Sequence, residues 1–341
     1  MGVNISDLLV KKELDVSSLK DKVIAVDAHL FLYQFLTTIR QRDGSYLMDS
    51  KGNITSHLSG LFSRNSKLMQ QGLRLMYVFD GKAPELKRKE IQKRRELKEE
   101  AQEKYEKAVD SENIEEMKKY ASRTTRLTKE MIEEAKNLIK AMGLPVIEAP
   151  SEGEAQAAYL VREEKAYAVA SQDADSLLFG SPKLIRNLSL AGKRKRTNKL
   201  AFETIKPELI SLSETLNHLS LDQEQLIALG MLVGTDFNQG GIKGIGPKKA
   251  LDLLKKHNDL DGLFKEVKWD EHFNYSWNEV FYLFKKMPVT KDYKLDWNEV
   301  NKEKVYEILV EEHEFSEDRV NSTLEKLEKE KQTQKGLGEF F

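Results

Sequence analysis

Short apolar runs alternate with amphipathic stretches through the first half of the chain, and each run leads into an acid. Val23–Val26 is an apolar run of strand length that closes on Asp27, and a helix is expected over His29–Arg40 with Phe31, Leu32, Phe35 and Leu36 on its apolar side. The turn-rich segment Gly44–Asn53 leads to a helix over about Ser56–Gly72, then to a strand, Leu73–Phe79, that closes on Asp80. An amphipathic helix over Thr128–Met142, capped by Gly143, feeds the next strand, Pro145–Ala149, which delivers Glu152. Ser151 opens the following helix, marked by Ser-x-x-Glu and the alanine-rich run Ala155–Leu160. Tyr167–Ser171 is a fourth buried strand, with Asp173 and Asp175 just past its end. Strands spaced by helices need crossover connections, so the pattern predicts an α/β fold with a central, mostly parallel sheet flanked by helices.

Two stretches break the alternation. Pro84 to about Met131 is charged and carries no core stripe, which predicts a helical insertion that is not buried. Downstream, GMLVGTDFNQGGIKGIGPKKALDLLKKH holds a glycine-rich hairpin before a helix starting near Pro247. Its glycines let backbone N–H groups approach a phosphate, the helix N-terminus adds a favourable dipole, and Lys248 and Lys249 add charge in the first turn.

Composition narrows the function classes. Among 341 residues there is no cysteine, which excludes disulfides and thiol chemistry, and no apolar run reaches membrane-spanning length. The N-terminus lacks the apolar segment of a signal peptide; Met1-Gly2-Val3-Asn4-Ile5-Ser6 fits the short myristoylation pattern, although simple methionine removal explains Gly2 as well. Net charge is −1, but the charge is segregated: Lys82–Lys98 carries eight basic against three acidic residues, a local +5. Lys193-Arg194-Lys195-Arg196, with Lys199, is expected at a hairpin tip, either against duplex or as a solvated loop.

The acids carry the chemistry. Taken alone, Glu154 reads equally well as a capping-box glutamate, and Asp173 as a turn aspartate. Repetition decides between the readings: four successive strands run into Asp27, Asp80, Glu152 with Glu154, and Asp173 with Asp175. Carboxylates pooled at one end of a sheet repel one another unless cations neutralise them. All these donors are hard oxygens with no zinc-like histidine spacing beside them, which suits Mg²⁺ or Mn²⁺. With Asp236 as a seventh acid the set exceeds the needs of one ion, so two are expected, cleaving a phosphodiester without a protein nucleophile.

The DAH segment at Asp27, FDGKAPELK from Phe79, EAPSEGEAQAAYL from Glu148, SQDADSLLFG from Ser171 and GTDFNQGGIKGIGPKKA from Gly234 together resemble the flap endonucleases of the structure-specific 5′-nuclease family, over essentially the whole chain. The resemblance implies a Mg²⁺-dependent endonuclease with associated 5′–3′ exonuclease activity that cuts where a 5′ flap meets duplex DNA, in Okazaki-fragment maturation and base-excision repair. It implies that Asp27, Asp80, Glu152, Glu154, Asp173, Asp175 and Asp236 hold two Mg²⁺, which Mn²⁺ can replace. Pro84–Met131 would be a helical arch, with Lys87 and Arg94 facing the scissile phosphate. Tyr33 would stack on a base, although its periodicity fits the core equally. The Lys243–Lys249 hairpin would be a helix–two-turn–helix that grips the duplex and holds a monovalent cation such as K⁺, with Gly234, Gly244, Gly246, Lys248 and Lys249 among the DNA-binding residues. Gly2 would lie near the site, and Thr55–Leu58 near the wedge at the DNA bend.

The implied organisation is one nuclease domain over 1–331: an N-terminal part to about 98, the arch at 84–131, an internal part over 128–260 and a helical DNA-binding region over 225–300. A helix over Ser316–Lys331 is expected to give way to a flexible tail, 332–341. Gln334, Leu337, Phe340 and Phe341 resemble a sliding-clamp binding box. The end of the chain there resembles an archaeal relative, hence a cytoplasmic enzyme, and a monomer is expected. Three alternatives stay open: an aspartyl-phosphate phosphatase using Asp173, a non-catalytic clamp-bound scaffold, and a bubble or junction endonuclease of the same family.

Overall fold

The computed structural model describes all residues except 1, 42, 112, 114, 117–119, 121–123, 190–191, 196–201, 258 and 339–341, and describes only the backbone of 89, 109–110, 192–195, 202–204 and 329–338. A seven-stranded sheet runs through the molecule in the order β1-β9-β6-β5-β2-β3-β4. Its strands are β1 (Lys11–Glu13), β2 (Val23–Asp27), β3 (Arg74–Phe79), β4 (Val146–Glu148), β5 (Ala168–Ala170), β6 (Lys183–Arg186) and β9 (Glu208–Ser211); β7 (Gly192–Lys195) and β8 (Phe202–Ile205) form a separate ribbon. β4, β3, β2, β5 and β6 are mutually parallel, while β9 and β1 are antiparallel additions at one edge. Chain order reverses beside β2, with β3 on one side and β5 on the other, which opens a crevice at their C-terminal ends.

The helices of ten residues or more among the described residues are α1 (Ala28–Thr38), α2 (Ser56–Gln70), α3 (Arg88–Asp110), α4 (Lys129–Ala141), α5 (Gly153–Arg162), α6 (Gln223–Val233), α7 (Pro247–Lys256), α8 (Trp277–Lys286) and α9 (Glu317–Gly338). Two cores sandwich the sheet. One packs α5 and the helices of 223–286 on one face, through residues such as Ala157, Leu229 and Phe264. The other packs α1, α2 and α4 on the opposite face, through Phe31, Leu58 and Ile139. Phe31, Leu32, Phe35 and Leu36 are all buried, as their spacing requires. No helix among the described residues is long and apolar enough to cross a membrane.

The insertion is helical and exposed as its composition demands: of its described side chains, α3 buries only Glu90, Ala101 and Ala108. Three expectations are corrected. Lys193–Lys195 lie in β7 rather than at a hairpin tip, because 192–195 pair with 202–205; Arg196 and Lys199 lie outside the described residues. The helical region ends at Lys286, and residues 287–301 run back as an extended strap. It is tied by Asn298 N–H to Gly143 O at 3.0 Å, and by Trp297 Nε1 to Leu75 O at 2.8 Å. The last helix continues past Lys331 to Gly338, so Gln334 and Leu337 lie on helical backbone, since no proline interrupts that polar run. Phe340 and Phe341 lie outside the described residues.

Candidate active site

β5, β2, β3 and β4 are consecutive in the sheet, so the acids that follow them are brought to one edge. Asp27 ends β2 and caps α1, its Oδ1 accepting from Leu30 N–H at 3.1 Å. Its Oδ2 accepts from Ser171 Oγ at 3.1 Å, and that hydroxyl is also 3.5 Å from Glu154 Oε1. One hydroxyl proton serves one acceptor at a time, so Ser171 cannot donate to both carboxylates at once.

The start of α5 differs from its sequence signature. Ser151 makes no capping bond; its hydroxyl donates to Lys82 O at 3.0 Å, and Glu152 occupies the N-cap position. The cap comes from another strand: Asp80 Oδ1 accepts from Gly153 N–H at 2.6 Å. Glu154 is thereby released from a capping role and stands with the other acids.

The chain's start closes the opposite side. Gly2 N–H donates to Asp173 Oδ2 at 2.9 Å and Val3 N–H to Asp175 Oδ1 at 2.6 Å. A Cβ on Gly2 would sit 2.7 Å from Asp173 Cβ, so a side chain there would force a shift. From the arch, Lys87 Nζ reaches Glu152 Oε2 at 2.5 Å and Asp236 Oδ2 at 3.2 Å. Arg94 Nη2 donates to Asp236 Oδ1 at 2.9 Å. Lys87 ends a 3-10 turn, Glu85–Lys87, and Arg94 lies in α3, so two consecutive elements rather than one helical face deliver them to the acids.

The seven acids share one electrostatic field. Burial, then Asp80 and Asp173, push the Asp27 carboxyl up to about 7. Burial, with Asp236 and Asp173, does the same for Asp175, also to about 7. Glu154 is raised well above its ordinary value by burial and by Asp175, Asp27 and Asp173. Glu152 is raised by burial against the pull of Lys87. Burial opposes charge on Lys87, yet Glu152 and Asp236 outweigh it and hold the ammonium above its usual value. His29 is held below its usual value, first by burial, and Asp80 N–H donates to its Nδ1 at 3.1 Å, which requires an unprotonated nitrogen there.

This donor set fits hard divalent cations: it is all oxygen, with Asp27, Glu152 and Asp175 buried and Asp80 open to solvent. In the present arrangement no three His, Asp or Glu side chains among the described residues converge closely enough to hold an ion. Lys87 bridges Glu152 and Asp236, and the Gly2 and Val3 amides hold Asp173 and Asp175.

Sequence reasoning missed the residues that place these acids. Ser171 links Asp27 to Glu154, and Thr235 with Asn238 forms a buried knot under Asp236. There Thr235 Oγ1 donates to Asn238 Oδ1 at 2.7 Å, and Asn238 Nδ2 to Met231 O at 2.6 Å. A Thr-x-x-Asn turn signal was present in the sequence, but it marks loops generally. Gly234, at φ +110°, packs so closely that a Cβ there would lie 2.6 Å from Gly241 N.

Tyr33 belongs to neither core; its half-buried ring lies beneath the arch with Lys98 Nζ 4.9 Å from the centroid. Thr55–Leu58 are buried where α2 begins, with His57 Nε2 3.2 Å from Glu134 Oε2. In the glycine hairpin α7 begins at Pro247 after Gly246, and no atom lies within 4 Å of a Cβ built on Gly244 or Gly246. Backbone is open to close approach there, beside exposed Lys248 and Lys249.

Acids gathered under a basic arch suit a ligand that brings cations to the acids and anions to the arch, as the phosphate backbone of a nucleic acid does for a metal-dependent nuclease. Comparison with known proteins narrows the class. Residues 2–101 match the XPG N-terminal domain and 143–236 the XPG I-region. Flap endonuclease 1 of Thermococcus onnurineus is 52% identical over 96% of this chain and 95% of its own. That of Staphylothermus marinus is 49% identical over 100% of both. The solved flap endonuclease-1 from Methanococcus jannaschii is 40% identical with a TM-score of 0.75, covering 96% of this chain and 98% of that one. The catalytic core of Rad2 in complex with DNA substrate, 24% identical at TM-score 0.68, shares the fold over 95% of this chain and 97% of its own. The chain belongs to the flap endonuclease family of XPG-type nucleases, enzymes that depend on divalent metal.

Proposed function

We propose that the chain hydrolyses a phosphodiester where a 5′ single-stranded flap joins duplex DNA, with associated 5′–3′ exonuclease activity, in Okazaki-fragment maturation and base-excision repair. The observation that supports this most is that Lys87 and Arg94 of the arch stand against the acids that gather at the sheet edge. Asp27, Asp80, Glu152, Glu154, Asp173, Asp175 and Asp236 would hold two Mg²⁺, or Mn²⁺. Divalent ions held there would supply Lewis acidity for the attack of water on phosphorus and for the leaving oxygen.

The chain's own groups supply the rest. Lys87 and Arg94 turn from Glu152 and Asp236 to the non-bridging oxygens of the scissile phosphate as charge develops there. Tyr33 offers a ring face to the base beside the cut once Lys98 moves aside. Gly244, Gly246, Lys248 and Lys249 hold the duplex backbone, with a monovalent cation such as K⁺ in the hairpin. No described group is arranged to read base edges, so selectivity is for structure. The enzyme acts as a cytoplasmic monomer.

Three end-labelled DNAs test the reading: a duplex with a 5′ flap, a bubble and a plain single strand, each with Mg²⁺ and with EDTA. Mg²⁺-dependent cutting of the flap near its junction is expected; cutting of the bubble in its place would keep the chemistry and reject the substrate. The tail motif Gln334, Leu337, Phe340 and Phe341 is proposed to dock on a sliding clamp, with the two phenylalanines as the plug. Replacing Phe340 and Phe341 by Ala should weaken binding to the clamp at least about 10-fold, the equivalent of one buried aromatic anchor, without slowing cleavage of isolated flap DNA. Unchanged clamp affinity by titration calorimetry would remove the motif's role.

A further inference from the structure

We infer that Glu90 is a positioning residue for Arg94 in phosphodiester cleavage, an inference that rests on the role proposed above for Arg94. Glu90 lies in the first turn of α3, four residues before Arg94, and its Oε1 pairs with Arg94 Nε. The arch contains other pairs at this spacing. Arg95 and Glu99 form one with 72% and 49% of their side chains exposed, a solvated pair of small consequence. Glu90 is different: its side chain is 7% exposed, in a helix otherwise nearly devoid of buried residues, and Arg94 is 35% exposed. The second oxygen, Oε2, is buried with no hydrogen-bond partner among the described residues. Folding stability gives no reason to bury a carboxylate with one oxygen unsatisfied, whereas holding a particular arginine does.

The geometry shows what is held. The guanidinium is gripped at two places, Nε by Glu90 and Nη2 by Asp236 Oδ1 at 2.9 Å. The second grip must open for Arg94 to reach a phosphate, because Asp236 belongs to the acid cluster. The first need not, because Glu90 rides on the same helix. Glu90 therefore keeps the plane of the guanidinium fixed while its outer N–H groups change partner, and an arginine fork is useful only in the right plane. Without Glu90 the side chain keeps its charge and loses its orientation, so the loss should fall on the rate of cleavage and spare DNA binding.

Single-turnover cleavage of a 5′-flap duplex with Mg²⁺, and equilibrium binding of the same DNA, would be measured for Glu90→Ala, Glu90→Asp, Glu90→Gln, Arg94→Ala and the Glu90→Ala/Arg94→Ala double variant. Glu90→Ala is expected to slow cleavage roughly 10- to 100-fold, the cost of misplacing a catalytic group, with DNA affinity within about twofold. Glu90→Gln, which still accepts from Nε, should recover most of the rate. Glu90→Asp, which keeps the charge but withdraws it by one methylene, should not, and it reads the role even if Glu90→Ala folds poorly. The double variant should be no slower than Arg94→Ala, because Glu90 acts only through that arginine. Losses that multiply in the double variant, or Glu90→Ala and Glu90→Asp at full rate beside a slow Arg94→Ala, would overturn the inference alone. Arg94→Ala at full rate would overturn the role of Arg94 and this inference with it.

Discussion

Asp175→Asn is expected to stop cleavage and, in the absence of divalent ions, to make the protein more stable. The two effects have one cause. Asp175 is buried, is pushed up to about 7 by that burial and by Asp236 and Asp173, and is one of the donors proposed to hold metal. A group whose folded-state pKa lies above its unfolded value contributes stability that is present below the unfolded value and lost as pH rises through the folded one. For Asp175 and Asp27 that window runs from the ordinary 3.8 to about 7, so at neutral pH the cation-free protein carries a cost the unfolded chain does not. Asn removes the charge while its Oδ1 still accepts from Val3 N–H, which Asp175 now holds at 2.6 Å. Thermal unfolding in EDTA at neutral pH should rise by about 2–6 °C, and flap binding should be largely kept. Cleavage should fall at least about 10³-fold, equivalent to roughly 4 kcal/mol of transition-state stabilisation. The same protons compete with metal, so the Mg²⁺ concentration for half-maximal cleavage should rise as pH is lowered below about 7. Full activity in the variant would remove Asp175 from the metal site; an unchanged midpoint in EDTA would remove the argument from stored repulsion.

The positions of the acids were legible in the sequence because strand ends are. An apolar run of four to six residues followed by Asp announces both a buried parallel strand and what stands at its mouth, and β2 and β3 needed nothing more. What the sequence hid is how the acids are held. Glu154 sits in a Ser-x-x-Glu pattern that local rules assign to a capping box, yet the cap comes from Asp80, some seventy residues away in the chain. Ser171 looks like an ordinary strand-end serine until the sheet brings Asp27 to one side of it and Glu154 to the other. Tyr33 was ambiguous for the same reason: periodicity places it beside a core stripe, and only the arch above shows which way it faces. Local pattern fixes which residues are offered to the crevice, and long-range packing fixes their partners.

Lys87→Ala separates the two tasks this lysine performs. Its ammonium sits between Glu152 and Asp236, with 16% of its side chain exposed against 8% and 14% for theirs. In the free enzyme it neutralises acids; over a bound phosphate it would stabilise the charge that develops in the transition state. Loss of the second task should lower the single-turnover rate by roughly 10²–10³-fold, as loss of a preorganised electrostatic donor does. Flap affinity, which is spread over many backbone contacts, should change by less than a few-fold. Loss of the first has the opposite sign to Asp175→Asn, since removing a cation from the cluster adds repulsion and removing an anion relieves it. Lys87→Ala should therefore melt earlier than the parent in EDTA and gain more than the parent from added Mg²⁺, because the ions take over the neutralising task. A variant that merely loosened the fold would show no extra gain. Parent-like cleavage together with a parent-like response to Mg²⁺ would leave Lys87 as a surface lysine with no part in the chemistry.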